Sequence, residues 1–363
     1  MRQLSVKLLM LVLMTVSAGC ATTQQKESRR FFWPQLPERP RIEWTKSYSS
    51  QSDFSKTEIE KFTASIIGET AAAAFDKPVA IVASDGGKVY VTDSGKASGV
   101  VVVDFNKHTF SSLGGENAVG QFSFPVGVAL DAEDNVYVSD VDKKGVLVFD
   151  KQEKPLKMIS TADQVQRNAG IAIDRKNNRL LVVDSLGHRI AVYEANGKYL
   201  FSFGERGTDD GKFNFPGPVT FNHQGEIIVG DTMNMRIQIF DGEGKFLRKF
   251  GTHGDGPADF QLLKGVSVDS DDNIYVTDGR GHKFIIFSTN GDYLMTVGGL
   301  YSALSVGREA PGGFMIPQGI FIDKKDVIYV VDQMNRRFQV FQYISDAYLR
   351  TNPIAGYVDP GGK

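Results

Sequence analysis

Hydrophobic and polar positions along the chain fall into short strand-like runs, four to a group, and the groups recur. Ile227-Ile228-Val229-Gly230-Asp231 reads like Ile274-Tyr275-Val276-Thr277-Asp278 and like Val136-Tyr137-Val138-Ser139-Asp140. Aligning these runs puts a terminal aspartate at Asp93, Asp140, Asp184, Asp231, Asp278 and Asp332, at intervals of 47, 44, 47, 47 and 54 residues. That period, with four short strands per unit, predicts a propeller blade rather than a helical solenoid. In one unit the innermost strand is Pro216–Phe221, followed by Glu226–Asp231, Arg236–Asp241 and the outermost Phe246–Phe250. Inner strands are nearly continuous apolar runs, as neighbouring blades covering both faces require. Outer strands carry charge, as in Lys245-Phe246-Leu247-Arg248-Lys249-Phe250, because one edge meets water. Asn196-Gly197 and Asn290-Gly291 mark hairpins between third and fourth strands. The expected fold is all-β: a six-bladed β-propeller.

Two sets of residues carry a family resemblance. Pro125-Val126-Gly127-Val128-Ala129-Leu130-Asp131 followed by Asn135–Asp140, and Asp231–Asp241, resemble the NHL repeat. Gly120–Pro125 and Gly211–Pro216 resemble its Gly-x-Phe-x-x-Pro joint. The resemblance spans roughly residues 76–343 and implies a six-bladed propeller. Such a ring needs a strand borrowed from elsewhere to close. Residues 42–47, within Arg41–Ser47, are expected to close blade six as its outer strand, with Tyr348–Arg350 as the alternative. The propeller is thus placed at 42–350, with 351–363 as a tail. Ser55 and Glu58 resemble a capping box, and Ile59, Phe62, Ile66 and Ile67 fall at helical spacing, which predicts a short N-terminal helix insert.

The N-terminus has a different pattern. Arg2 and Lys7 precede the apolar run Leu8–Met14, too short to span a bilayer and suited to the core of a signal peptide over residues 1–19. Val16-Ser17-Ala18-Gly19-Cys20 resembles a bacterial lipobox, with Ser17 where that pattern prefers Leu. The resemblance implies a lipoprotein acylated at Cys20, and Ala21 after the cysteine implies sorting to the outer membrane. An ordinary signal-peptidase site is the alternative. Residues 20–41 read as a tether in which Pro34, Pro37 and Pro40 share one face of an extended strut. Phe31, Phe32 and Trp33 suit either a bilayer interface or packing against the folded body.

Composition narrows the chemistry. With 41 Lys+Arg against 43 Asp+Glu the formal charge is −2, so there is no basic excess for nucleic-acid phosphates. A single cysteine excludes a disulfide framework and thiolate-held zinc or iron–sulfur sites. His188 and His282 sit in matching turns of blades three and five, where blades four and six have Asn234 and Asn335. Imidazoles in those turns would stand on the order of 20 Å apart, whereas a zinc–nitrogen bond is about 2 Å, so they cannot share one metal. Asp269–Asn273 begins like a calcium loop, but Ile274 and Arg280 occupy the places of its Gly and Glu, and the segment reads as a turn between strands. No catalytic motif emerges and no cofactor is expected, although an axial calcium or zinc ion held by inner-strand oxygens would leave no sequence signature.

Basic and imidazole groups recur at the end of the ring that carries the blade-to-blade loops. Arg189, Arg236, Lys283 and Arg337, with His188, His253 and His282, form a candidate interaction face. The competing reading pairs the repeated arginines with Asp184, Asp231 and Asp332. The expected function is that of a lipid-anchored envelope protein, monomeric, whose loops Gly204–Phe215, Gly251–Phe260 and Gly298–Pro317 engage a protein partner. The alternative is a lactonase-like or amidating-lyase-like enzyme with a metal on the axis.

Overall fold

The computed structural model describes residues 30–54, 74–96, 98–114, 122–302 and 310–358, within a folded unit that begins at Phe31. Its strands form six sheets, five of them each built from one sequence repeat and the sixth completed by N-terminal strands. Blade four shows the pattern: Pro216–Phe221 pairs with Ile227–Asp231, then Arg236–Phe240, then Phe246–Phe250, all antiparallel. The runs that read as strands in the sequence are the strands of the fold, because β-branched and aromatic side chains fill both faces of each central strand. Ile227, Ile228 and Val229 are fully buried, as are Leu180–Val183 in the corresponding strand of blade three.

Apolar side chains group by interface. One cluster unites Ile171, Leu180 and Val182 of blade three with Tyr137, Val146 and Val148 of blade two. Equivalent clusters join blades three to four, four to five, five to six, six to one and one to two. Every blade is therefore wedged between two others. Burial at about 25 cal/mol per Å² of apolar surface acts around the whole ring rather than in one central core. Near the axis the inner strands converge until a side chain no longer fits: a Cβ on Gly265 would lie 2.7 Å from the Gln318 carbonyl oxygen of the next blade.

Ile42–Tyr48 closes the ring. It pairs antiparallel with Arg337–Tyr343 as the fourth strand of blade six, Ile42 facing Tyr343 and Tyr48 facing Phe338. The Trp44 indole donates to Gln339 Oε1 at 3.0 Å. Phe31–Trp33 then adds a fifth strand outside it. A free tether reaching residue 41 is thus corrected: from Phe31 onward the chain is part of the folded body, because Phe32 is buried with Ile344 and Ile354 and Trp33 packs on the blade-five/six cluster. Ile354 likewise ties the expected tail to the body. The described α-helix is Asp346–Thr351, at the C-terminal side, capped by Ser345, which accepts from the Tyr348 amide; it occupies the segment proposed as the alternative closing strand. The helix expected over Ser55–Ile67 lies outside the described residues, as do the signal peptide and Cys20.

Candidate functional site

The repeated aspartate anchors the described loops at one end of the ring. In each blade it ends the second strand, faces the first residue of the inner strand, and turns its carboxylate towards the incoming blade-to-blade loop. Asp140 accepts the amides of Ser123 and Phe124 and, on its own turn, those of Asp142 and Lys143. Asp278 does the same for Gln261, Leu262, Arg280 and Gly281. Loop amides thus satisfy a buried acceptor, which offsets the cost of dehydrating the carboxylate.

Blades four and six enlarge this clamp with the same side chains. Asp231 Oδ2 accepts from Asn234 at 2.8 Å, Arg236 Nε at 2.8 Å and Gln238 at 3.1 Å. Asp332 Oδ2 accepts from Asn335 at 2.8 Å, Arg337 Nε at 2.8 Å and Gln339 at 3.4 Å. The outer nitrogens of Arg236 grip the carbonyls of Thr208, Asp209 and Lys212, and Arg337 grips that of Gly313. Burial pushes the Asp332 carboxyl up, against the pull of Arg337 and of the Met315 amide. Gln238 and Gln339, seven residues past the aspartate, went unread in the sequence, although both follow the matching arginine by two.

The candidate residues of this end separate accordingly. Arg236 and Arg337 are 7% and 5% exposed, so their guanidinium groups hold loops and are not a surface. Arg189 is half-buried between Asp184, at 3.4 Å, and the Gln164 carbonyl. Lys283 donates to the Gly256 carbonyl at 3.2 Å. His188 and His282 do not share the position of Asn234 and Asn335 but stand one residue later, in left-handed backbone (φ 55° and 54°) where blades four and six have Met235 and Arg336. Their Nδ1 atoms accept the amides of Phe215 and Ile316 in the loop leading to the next blade. His253 is the one exposed side chain of the seven. It stands beside Phe260 in a parallel bridge that Arg206 and Phe213 repeat one blade earlier.

Among its exposed charged and polar loop residues, this end also presents apolar side chains to solvent. Leu186, Met233 and Met334, each two residues past the repeated aspartate, are 44%, 53% and 43% exposed. Phe215 and Leu300 of the adjoining loops are 40% and 70% exposed. Beneath them, along the axis, lies a cavity of about 640 Å³ walled by the inner strands of all six blades. Its walls are mostly Val, Ile and Ala, with Lys264 and Gln318 towards the loop-bearing end and Asp85, Arg175 and Lys324 towards the other. There, burial pushes the Asp269 carboxyl up to about 6 despite hydrogen bonds from Asn273 and Tyr275. Among the described residues no three His, Cys, Asp or Glu side chains cluster closely enough to hold a metal ion, and no helix is long and apolar enough to cross a membrane.

Comparisons with known proteins agree on the architecture. A family model described as a 6-bladed beta-propeller matches residues 206–306. No curated protein matches. A Bacteroides thetaiotaomicron protein of unknown function is 16% identical with a TM-score of 0.61, over 83% of this chain and 75% of that one. An auxiliary nutrient binding protein from the same organism is 15% identical with a TM-score of 0.56, over 75% and 70%. A streptogramin B lyase is 12% identical with a TM-score of 0.55, over 75% and 95%. At these identities the likeness is one of fold.

Proposed function

We propose that this chain is an NHL-type propeller lipoprotein, anchored through acyl chains on Cys20 in the bacterial outer membrane, whose loop-bearing end captures an envelope protein. The exposed apolar side chains at matching turn positions carry the reading: Leu186, Met233 and Met334, joined by Phe215 and Leu300. Repeated at one end of the ring, they offer a partner apolar contacts from several blades at once. The clamps beneath support this, because a turn already ordered by Asp231 and Arg236 loses little further entropy when a partner docks. The lyase and lactonase alternative draws on the axial cavity instead, and a cavity alone assigns no reaction.

The test is site-specific photo-crosslinking in the native host, with a benzophenone side chain at position 233 or 334 and, as control, at position 247 on an outer strand. A defined adduct with one envelope protein from 233 and 334, absent from 247, is the expected result. Equal labelling from all three positions, or none from any, would remove the loop-bearing end as the contact surface. Labelling of the chain by radioactive palmitate, lost in Cys20→Ala, tests the anchor.

A further inference from the structure

The inner strands repeat so closely that their mouth positions can be compared one by one. In each blade the first inner-strand residue faces the repeated aspartate: Pro78 with Asp93, Pro125 with Asp140, Asn168 with Asp184, Pro216 with Asp231, Leu263 with Asp278, Pro317 with Asp332. The next residue stands in the bulge that follows and lines the axial cavity. It is Val79, Val126, Ala169, Gly217, Lys264 and Gln318 around the ring. Five of these are uncharged and one is a lysine.

Space has been made for that lysine. The facing position, one residue past the aspartate, is Gly279 in blade five, and a Cβ there would come within 3.1 Å of Lys264 Cγ. Blade four shows the reverse arrangement, with Gly217 on the inner strand beneath Thr232, whose Oγ1 would lie 2.8 Å from a Cβ on Gly217. Small and large have exchanged places, and the exchange lets a long side chain reach the cavity in blade five.

Lys264 is half-buried and has no hydrogen-bond or ion-pair partner among the described residues. The other charged groups of the lining are occupied. Lys324 pairs with Asp85 at 2.6 Å, Arg175 donates to the Leu130 carbonyl, and Asp269 and Asp323 accept from their own turns. Burial, and after it the charge of another cation, Lys77, holds the Lys264 ammonium below the usual lysine range. An unmatched buried ammonium is costly unless an anion completes it.

We propose that the axial cavity binds a small organic carboxylate, its head group on the Lys264 ammonium and its apolar body along the Val and Ala walls below. The volume suits a compact organic molecule. The inference is independent of protein capture at the rim, since it concerns the interior of the ring.

The test uses a matched pair of probes of nearly equal shape, naphthalene-1-acetate and its neutral amide, naphthalene-1-acetamide. Each is titrated calorimetrically into the full-length chain and its Lys264→Met and Lys77→Met variants under identical conditions. The native chain should bind one acetate per chain at least tenfold more tightly than the amide. Lys264→Met should abolish that preference and leave amide affinity within twofold, while Lys77→Met changes it less than threefold. Should Lys264→Met fail to match the native circular dichroism, Gly279→Val, which displaces the lysine stem and keeps its charge, should weaken the acetate selectively. A preference that survives both Lys264→Met and Gly279→Val, one that vanishes instead in Lys77→Met, or no saturable binding of either probe overturns the proposal.

Discussion

Arg189 and Arg236 occupy the same place in successive blades, and the structure assigns them very different energetic roles. The Arg236 side chain is 8% exposed against an Asp231 that is fully buried, and it makes four hydrogen bonds of 2.7–2.8 Å. Arg236→Met would strand a buried carboxylate and free three loop carbonyls, a loss of about 3–5 kcal/mol. The Arg189 side chain is 34% exposed, reaches the buried Asp184 only at 3.4 Å and holds a single loop carbonyl, so water can take much of its place and Arg189→Met should cost about 1 kcal/mol or less. With a urea m-value of about 3 kcal/mol/M, the first change lowers the unfolding midpoint by roughly 1 M or more and the second by about 0.3 M at most. Asp231→Asn combined with Arg236→Met should recover part of the loss, because no charge then remains buried. Tryptophan fluorescence in urea reads all three, Trp44 lying in the strand that closes the ring. Equal shifts for the two single variants, or a shift below about 0.3 M for Arg236→Met, would refute the claim that the clamp stabilises the ring by desolvated pairing.

Other consequences are as direct. Arg248 forks onto Glu226 at 2.8 and 2.7 Å and holds that carboxyl below its ordinary 4.5, so the pair stabilises the fold above that pH and loses its contribution as pH falls through the lowered value. Thermal unfolding of Arg248→Met should therefore lie below native at pH 7, and the gap should close in acid; a gap independent of pH would be the contrary result. Gly265→Ala drives a methyl group against two backbone atoms of blade six and should destabilise by several kcal/mol, whereas Gly299→Ala meets open space and should stay within about 0.5 kcal/mol of native by chemical denaturation. His188→Leu keeps the packing against Phe215 but leaves its amide without an acceptor, a loss of about 1–3 kcal/mol, which hydrogen exchange should register as faster exchange of the Phe215 amide.

Much of the architecture was legible in the chain because a blade is a local object. Four strands, short hairpin turns and a terminal aspartate recur within each repeat, and each is dictated by residues close in sequence. What was not legible depends on neighbours far along the chain. In sequence Phe31–Trp33 suits either a bilayer interface or packing on the folded body, and only the exposed edge of Ile42–Tyr48, itself paired some 295 residues away with Arg337–Tyr343, makes it a strand. His188 and Asn234 look interchangeable in sequence, yet one residue of offset decides that the asparagine serves its own aspartate and the histidine serves the next blade. Lys264 reads as an ordinary charge at the start of an apolar run, and its isolation follows only from what the other five blades place around it. The rim was likewise hidden, since Met233 and Met334 are single apolar residues in polar turns.

In a fold made of near-identical units, the shared residues report on assembly and the departures report on function. The aspartate present in all six blades binds backbone that would otherwise be loose, and the arginines of blades four and six extend the same task. These groups are committed to the protein's own loops. The positions that vary between blades lie just beyond them: one residue past the aspartate, where Gly279 admits a lysine stem; two residues past it, where Leu186, Met233, Arg280 and Met334 alternate apolar with charged. A rigid frame fixes where each departure stands to within the geometry of a strand, which is what a binding surface on loops ordinarily lacks. The same clamp that makes the candidate arginines poor ligands therefore makes their neighbours good ones, and the search for function at this end of the ring belongs with the residues the repeat does not share.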